Sequence, residues 1–379
     1  MFKYLIKKSV RKSILLYHAL KQEQYYKSLL ARNKIPNRQV KGEKEWIEKW
    51  STFGLKANPV YYRLFSHYIG ENINIVPENI CHDIIEPILN PYRYTKYYAD
   101  KNIFDRLLPK GYLPQTLLRK MEGSYYDADY KRINMNDDIL LIILSKSGTN
   151  KIIIKPTIEG CSGVGVRCFL KNGSIWTIYG GNEKLSLHYL ETMYGTDFII
   201  QEFLEQHEAI NHFCSTSVNT LRLTLYRSVK NDECVIPSAI MRIGNNGSVI
   251  DNAHAGGCYV GIEIETGKLK HEVLDQYGRS YSNFNHINFT IQQQIPAELW
   301  TKVLDFAKTI GTYIPHHRLL ALDLMIDKDG NPRVVEYNVE HYSMWLFQFT
   351  VGPAFGKYTN EIIEYCKNKY DNIEYMISI

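Results

Sequence analysis

The sequence contains no Cys-x-x-Cys pair, no Gly-Lys-[Ser/Thr] phosphate loop, and no apolar run approaching the ~20 residues that a membrane-spanning helix needs. An integral membrane protein is not expected. Seven cysteines (Cys81, Cys161, Cys168, Cys214, Cys234, Cys258 and Cys366) are odd in number and widely scattered, which signals neither a disulfide framework nor a zinc site. The opening segment MFKYLIKKSVRKSILLYHAL disperses basic residues among apolar ones and lacks the long apolar block and small-residue cleavage site of a secretory leader. A reducing cytoplasm is the expected setting. Internal repeats and low-complexity stretches are absent.

What is present is a chain of 379 residues, beyond the roughly 250–300 at which a single core stops growing, so two or three packed units are expected. Residues 1–50 hold thirteen Lys/Arg against four Asp/Glu, which leaves the remainder near −4 although the whole chain is +5. Such a basic amphipathic head suits an anionic surface, for instance the inner face of a membrane, or a partner. A solvated helix face is the plainer account. No nucleic-acid motif accompanies the charge, and nucleic acid is not expected as a partner.

Apolar spacing of i, i+3, i+4 predicts helices over residues 1–90, with breaks near Pro36, Gly54 to Pro59 and Pro77. From Tyr98 the pattern changes. A short helix opened by Asp100 leads through Gly111 to Pro114 into the strand TLLRKM, and the apolar runs LLIILS and KIIIKP both read as buried strands. VRCFL, a KNGS turn, SIWTIY and FIIQEFL continue as strands, closing a unit near residue 205. The second half has TLRLTLYRS and CVIPSAIMRI as long strands, the glycine-rich stretch VIDNAHAGGCYVGIEI, a helix over roughly 296–314, the hairpin RLLALDLMID-KDGN-RVVEYNVE, and a helix near 355–370. Strands and helices mix without regular βαβ alternation, which predicts an α+β protein of three parts, 1–90, 91–205 and 206–379.

Three features carry chemistry. The last hairpin places Asp323 on one strand and Glu336 and Asn338 on the next; residues two apart leave a strand on the same face. Two carboxylates and an amide oxygen make a hard-oxygen set suited to Mg²⁺, the alternative being a wet hairpin with acids on its solvent side. Upstream, KIIIKPTIEGCSGVGV runs Lys155 into a loop with Gly160, Gly163 and Gly165, where backbone N–H groups can approach phosphate oxygens, although an ordinary tight turn has the same composition. Finally, Lys101 and the strand ending Gln201, Glu202, Phe203, Leu204, with Glu208 just beyond, offer a cation and an adenine-facing edge; a surface lysine and a plain strand end are the alternatives.

The linear order of these pieces resembles the ATP-grasp superfamily from about Tyr98 to Tyr365, most specifically in D-x12-E-x-N, which is similar to the metal-binding hairpin of D-alanine–D-alanine ligase. SVNTLRLTL, MRIG, IDNAHAGG and LALDLMID…VEYN are similar to the sugar-transfer associated ATP-grasp group. The resemblance implies an ATP-grasp fold in which two α+β subdomains clasp ATP, preceded by the helical region. It assigns Lys101 and Lys155 to phosphates, Gly160, Ser162, Gly163, Val164 and Gly165 to a lid, and Gln201 to Leu204 to the adenine. Glu208 falls to the ribose, and Asp323, Glu336 and Asn338 to Mg²⁺. Ala321 stands where the D-alanine ligases have arginine, and NVEHYSMW replaces their Asn-x-x-Pro-Gly, so the acceptor is not D-alanine. Arg222 and Arg242 are candidates for an acyl phosphate or substrate carboxylate, or for structural ion pairs. Asn252 and His254 sit on a loop with two glycines, His254 being either a general base or a hydrogen-bonded loop residue.

The implied activity is ATP-dependent ligation of a small or sugar-linked carboxylate to an amine, in cell-surface polysaccharide or glycoconjugate assembly. A kinase or ester-forming enzyme on a sugar-linked acceptor and a non-catalytic nucleotide-binding scaffold remain as alternatives.

Overall fold

The computed structural model describes residues 2–158, 163–249 and 251–370. Its N-terminal region is helical, with α1 (Phe2–Arg32), α2 (Glu43–Trp50) and α3 (Pro59–Ile69), the last begun by Pro59 and capped by Asn58, whose side chain accepts from Val60 N–H at 3.0 Å. A helical segment follows from Glu78 to Leu89, interrupted by a π turn at Cys81–Ile85. None of the described helices is long and apolar enough to cross a membrane.

Two antiparallel sheets make up the rest. The first has seven strands in the order β3-β2-β1-β7-β4-β5-β6: β1 Thr116–Met121, β2 Ser124–Asp127, β3 Arg132–Ile133, β4 Lys151–Pro156, β5 Arg167–Asn172, β6 Ile175–Ile178 and β7 Phe198–Glu202. The second has eight: β8 Leu221–Arg227, β9 Cys234–Val235, β10 Ala239–Ile243, β11 Cys258–Ile262, β12 Val273–Leu274, β13 Ser280–Tyr281, β16 Leu319–Ile326 and β17 Pro332–Asn338. A small hairpin, β14 Asn283–Phe284 with β15 Ile287–Asn288, stands apart. Antiparallel sheets with helices on their faces are the α+β architecture expected from the sequence.

One element is corrected. LLIILS is not a strand but the heart of a helix, Asp137–Lys146. Asn136 caps it by accepting from Ile139 N–H at 2.8 Å, Asp137 and Asp138 lie in its first turn, and Leu140 and Leu144, four apart, are its buried residues. A short apolar run does not distinguish strand from helix, and here the cap decides. CVIPSAIMRI is also divided, because Pro237 lacks the N–H a ladder requires and separates β9 from β10.

The second sheet is buried on both faces, so β16 reads as an apolar run interrupted by Asp323 alone: all eight of its residues are buried. Leu320, Leu322, Leu324 and Ile326 pack with the helix Ala297–Tyr313. Leu319 and Ala321, on the other face, share a core with Trp46, Trp50, Phe65 and Leu89 of the N-terminal helices. Asn90 stitches that junction. Its amide donates to the Leu319 and Val339 carbonyls at 2.6 and 2.7 Å and accepts from Arg318 and Leu319 N–H, both at 3.0 Å. The first sheet has a separate core, around Leu118, Ile152, Ile154, Phe169 and Ile200.

Candidate active site

Alternation along the second sheet decides which residues meet. In the ladders Asp323 lies opposite both Glu336 on β17 and Arg222 on β8, and Arg222 lies opposite Ile240, two residues before Arg242 on β10. Directly opposed residues share a face, so Glu336, Asp323, Arg222 and Arg242 emerge together, beyond the end of the N-terminal helix contacts. A bulge follows Asp323, with Leu324 pairing Val334, and leaves Val335 without an opposite number. The Val335 carbonyl accepts from Lys155 Nζ at 3.3 Å. Beside it, Lys101 Nζ lies 3.0 Å from Glu336 Oε1. Both lysines approach from the first sheet and its leading segment, Lys101 held by its N–H on the Thr157 carbonyl at 3.2 Å.

These groups line one cleft of about 410 Å³ between the sheets. Arg222 grips Asp323 with two parallel bonds of 2.7 and 2.6 Å, and Arg242 bridges Asp323 at 3.4 Å to Asp251 at 3.0 Å. Asp251 in turn accepts from Thr220 N–H at 2.8 Å and from the Thr220 hydroxyl. Burial opposes the charge on Asp323, but the two guanidinium groups outweigh it and hold the carboxyl below its ordinary range. At Asp251 burial wins, and its carboxyl is raised despite Arg242. Burial also draws the Lys155 ammonium down to about 8, against the pull of Glu336.

Four cations (Lys101, Lys155, Arg222, Arg242) thus share one cleft wall with four carboxylates (Asp251, Asp323, Glu336, Glu340). Lys101, Lys155, Arg222 and Arg242 are the groups there that suit phosphate or carboxylate oxygens.

A family model for sugar-transfer associated ATP-grasp proteins matches residues 82–363. The chain belongs to that family. No curated protein shows a significant match to it. Solved structures similar to this ATP-grasp protein include a D-cycloserine synthetase, at 12% identity over 74% of this chain and 73% of that one with a TM-score of 0.39. The D-alanine–D-alanine ligase from Bacillus anthracis matches at 14% over 73% and 69%, TM-score 0.38. A D-Ala:D-Ser ligase from Enterococcus faecalis matches at 12% over 71% and 61%, TM-score 0.40.

Of the residues singled out in the sequence, the ATP-grasp cleft brings together Lys101, Lys155, Gly163, Val164, Phe203, Arg222, Arg242, Asn252, His254, Asp323, Glu336 and Asn338. Gly160 and Ser162 lie outside the described residues. Gly165 has φ +81°, and a Cβ there would meet the Pro156 ring at 3.1 Å, so the tight return of this loop onto β4 requires glycine. Gln201, Glu202, Leu204 and Glu208 are not on the cleft wall. Gln201 is buried within its sheet, the Glu202 carboxylate accepts from Gln115 N–H at 2.8 Å, and Glu208 begins the short helix Glu208–Asn211. Asn252 caps the turn Ala253–Ala255, accepting from His254 N–H at 2.9 Å, while the exposed His254 ring bonds to Gln276.

The residues fit a divalent ion in donor chemistry. Glu336 and Asn338 offer oxygens, and Asp323 Oδ1 keeps a second lone pair beyond its one arginine bond, while Oδ2 accepts from both guanidinium groups. Among the described residues no three His, Cys, Asp or Glu converge as a metal site.

Sequence reasoning missed Asp251, Thr220, His341 and Ser343, all related to the same cleft. His341 and Ser343 hold φ of +57° and +55°, conformations that non-glycine residues seldom adopt and that cluster at functional sites. Asp251 had a signal, being next to Asn252 in a motif already noted. No sequence signal marks the backbone of 341 and 343.

Proposed function

We propose that this ATP-grasp protein is an ATP-dependent carboxylate–amine ligase working through an acyl phosphate. One observation carries the reading: Lys155 from the first sheet and Lys101 from the segment leading into it reach the Val335 carbonyl and Glu336 on the β16–β17 hairpin, beside Arg222 and Arg242. Residues 91–205 and 206–379 are then the two halves that clasp the nucleotide, with the lysines and the Gly160 to Gly165 loop on its phosphates. Phe203, which alone of the Gln201 to Leu204 strand end lines the cleft, would meet the adenine.

Glu336, Asn338 and Asp323 would hold Mg²⁺, which supplies charge neutralisation on the phosphate oxygens. Arg222 and Arg242 are suited to a carboxylate or acyl phosphate, and His254 to taking a proton from the incoming amine. The family's description as sugar-transfer associated supports a sugar-linked substrate, and a role in cell-surface polysaccharide or glycoconjugate assembly is the extension we propose from it.

The test is ADP release with panels of carboxylates and amines, together with trapping of any acyl phosphate by hydroxylamine. Lys155→Ala and Glu336→Ala should each abolish turnover, since losing a charge aimed at the transferring phosphoryl costs several kcal/mol of transition-state stabilisation. Unchanged ADP production in both variants would sink the assignment. Label from ATP found on an acceptor hydroxyl would convert the reading to a kinase.

A further inference from the structure

We infer that the exposed face of α1 around Leu16, Tyr17 and Leu20 is a docking surface for an anionic lipid bilayer, an inference that does not depend on the ligase reading. Residues 1–22 contain Lys3, Lys7, Lys8, Arg11, Lys12 and Lys21 and no Asp or Glu. Among the described side chains of residues 1–22, three large apolar ones stand in water: Leu16, Tyr17 and Leu20 are 57%, 63% and 53% exposed. Spaced i, i+1 and i+4, they share one helical face.

The opposite face is fixed to the protein. Leu15, Tyr26, Leu29 and Leu30 are buried, Tyr26 donates its hydroxyl to Glu78, and His18 Nδ1 pairs with Asp83 Oδ1 at 2.8 Å. The apolar patch is therefore held outward on a docked helix. Single exposed leucines are ordinary, but three on one face of a segment with six cations and no anion combine the two attractions that draw a helix into a headgroup layer, apolar burial and charge. A protein interface of this size would be depleted in lysine at its centre, so charge complementarity favours the bilayer. With its inner side (Ile14, Leu15, His18) the same helix lines a cavity of about 800 Å³, whose far wall, Val339 to His341, is shared with the cleft that holds Lys155. Docking would bring that cavity close to the headgroups.

The experiment is co-sedimentation of the full chain with vesicles of phosphatidylcholine alone and of phosphatidylcholine mixed with phosphatidylglycerol, at low and high salt. The chain should pellet with the anionic vesicles at low salt, remain in solution with the neutral ones, and be released by salt. Leu16→Asp with Leu20→Asp should lower partitioning roughly tenfold or more, with the circular dichroism unchanged because both positions are exposed. Tyr17→Gln should weaken it less. The inference is overturned if the wild-type chain stays in solution with anionic vesicles, or if the double variant pellets equally. It is also overturned if the double variant converts a wild-type dimer that ignores vesicles into a monomer, which would make the face a contact between two copies.

Discussion

Lys155 should take up a proton when a nucleotide binds. Burial in the cleft draws its ammonium from 10.5 to about 8, with Glu336 pulling upward and Lys101 pushing down. That displacement corresponds to roughly 3 kcal/mol of disfavour for the charged form. Phosphate oxygens would supply the missing counter-charge and return the group toward the ordinary lysine range. At pH 8 the side chain is then about half protonated before binding and fully protonated after it, a gain of roughly half a proton per site, against about 0.1 at pH 7 and 0.9 at pH 9. Affinity should fall about fivefold between pH 8 and pH 9, where the phosphates themselves no longer titrate.

Calorimetric titration with ATP in two buffers of different ionisation enthalpy measures the uptake, and Lys155→Met should abolish it. Equal uptake at pH 8 in wild type and variant, or none in the wild type, would refute the reasoning. The sign for stability runs the other way. Between about pH 8 and 10.5 the unfolded chain holds a proton that folded Lys155 has lost, so this group makes the protein without nucleotide more stable as pH rises.

Asp323→Asn should be destabilising by about 3–5 kcal/mol in urea unfolding, because it strands Arg222 in a buried site and leaves Arg242 with Asp251 alone, whereas Glu336→Gln should stay within about 1 kcal/mol while stopping ADP release. Asn90→Ala removes four hydrogen bonds between the helical region and β16–β17 and should cost about 2–4 kcal/mol by the same measurement. His82 is raised well above 6.5: burial opposes its charge, but Glu86 and Glu78 at 2.6 and 3.4 Å outweigh that. Its contribution is fully present below the unfolded value near 6.5 and is lost as pH rises through the folded one, so the melting-temperature gap between wild type and His82→Asn should shrink on going alkaline. Gly165→Ala should destabilise by about 1 kcal/mol or more in thermal melts, from its positive φ and the contact with Pro156.

The sequence by itself determined the α+β class, the order of the strands that matter, and the ATP-grasp kinship, because alternation, turn residues and the D-x12-E-x-N spacing are local properties that a linear reading captures. It also marked Asp323, Glu336 and Asn338 as neighbours, since a hairpin pairs residues close in the chain. LLIILS escaped it, the deciding signal being a single cap at Asn136. What only the tertiary structure decided is longer in range. That Arg222 and Arg242 hold Asp323, that Asp251 joins them, that Lys155 meets the carbonyl of a bulged Val335, and that residues 1–90 complete the core of the second sheet all depend on ladder register and packing between segments up to some three hundred residues apart. Such contacts are selected by the whole fold's burial and charge balance, which no window of the chain contains.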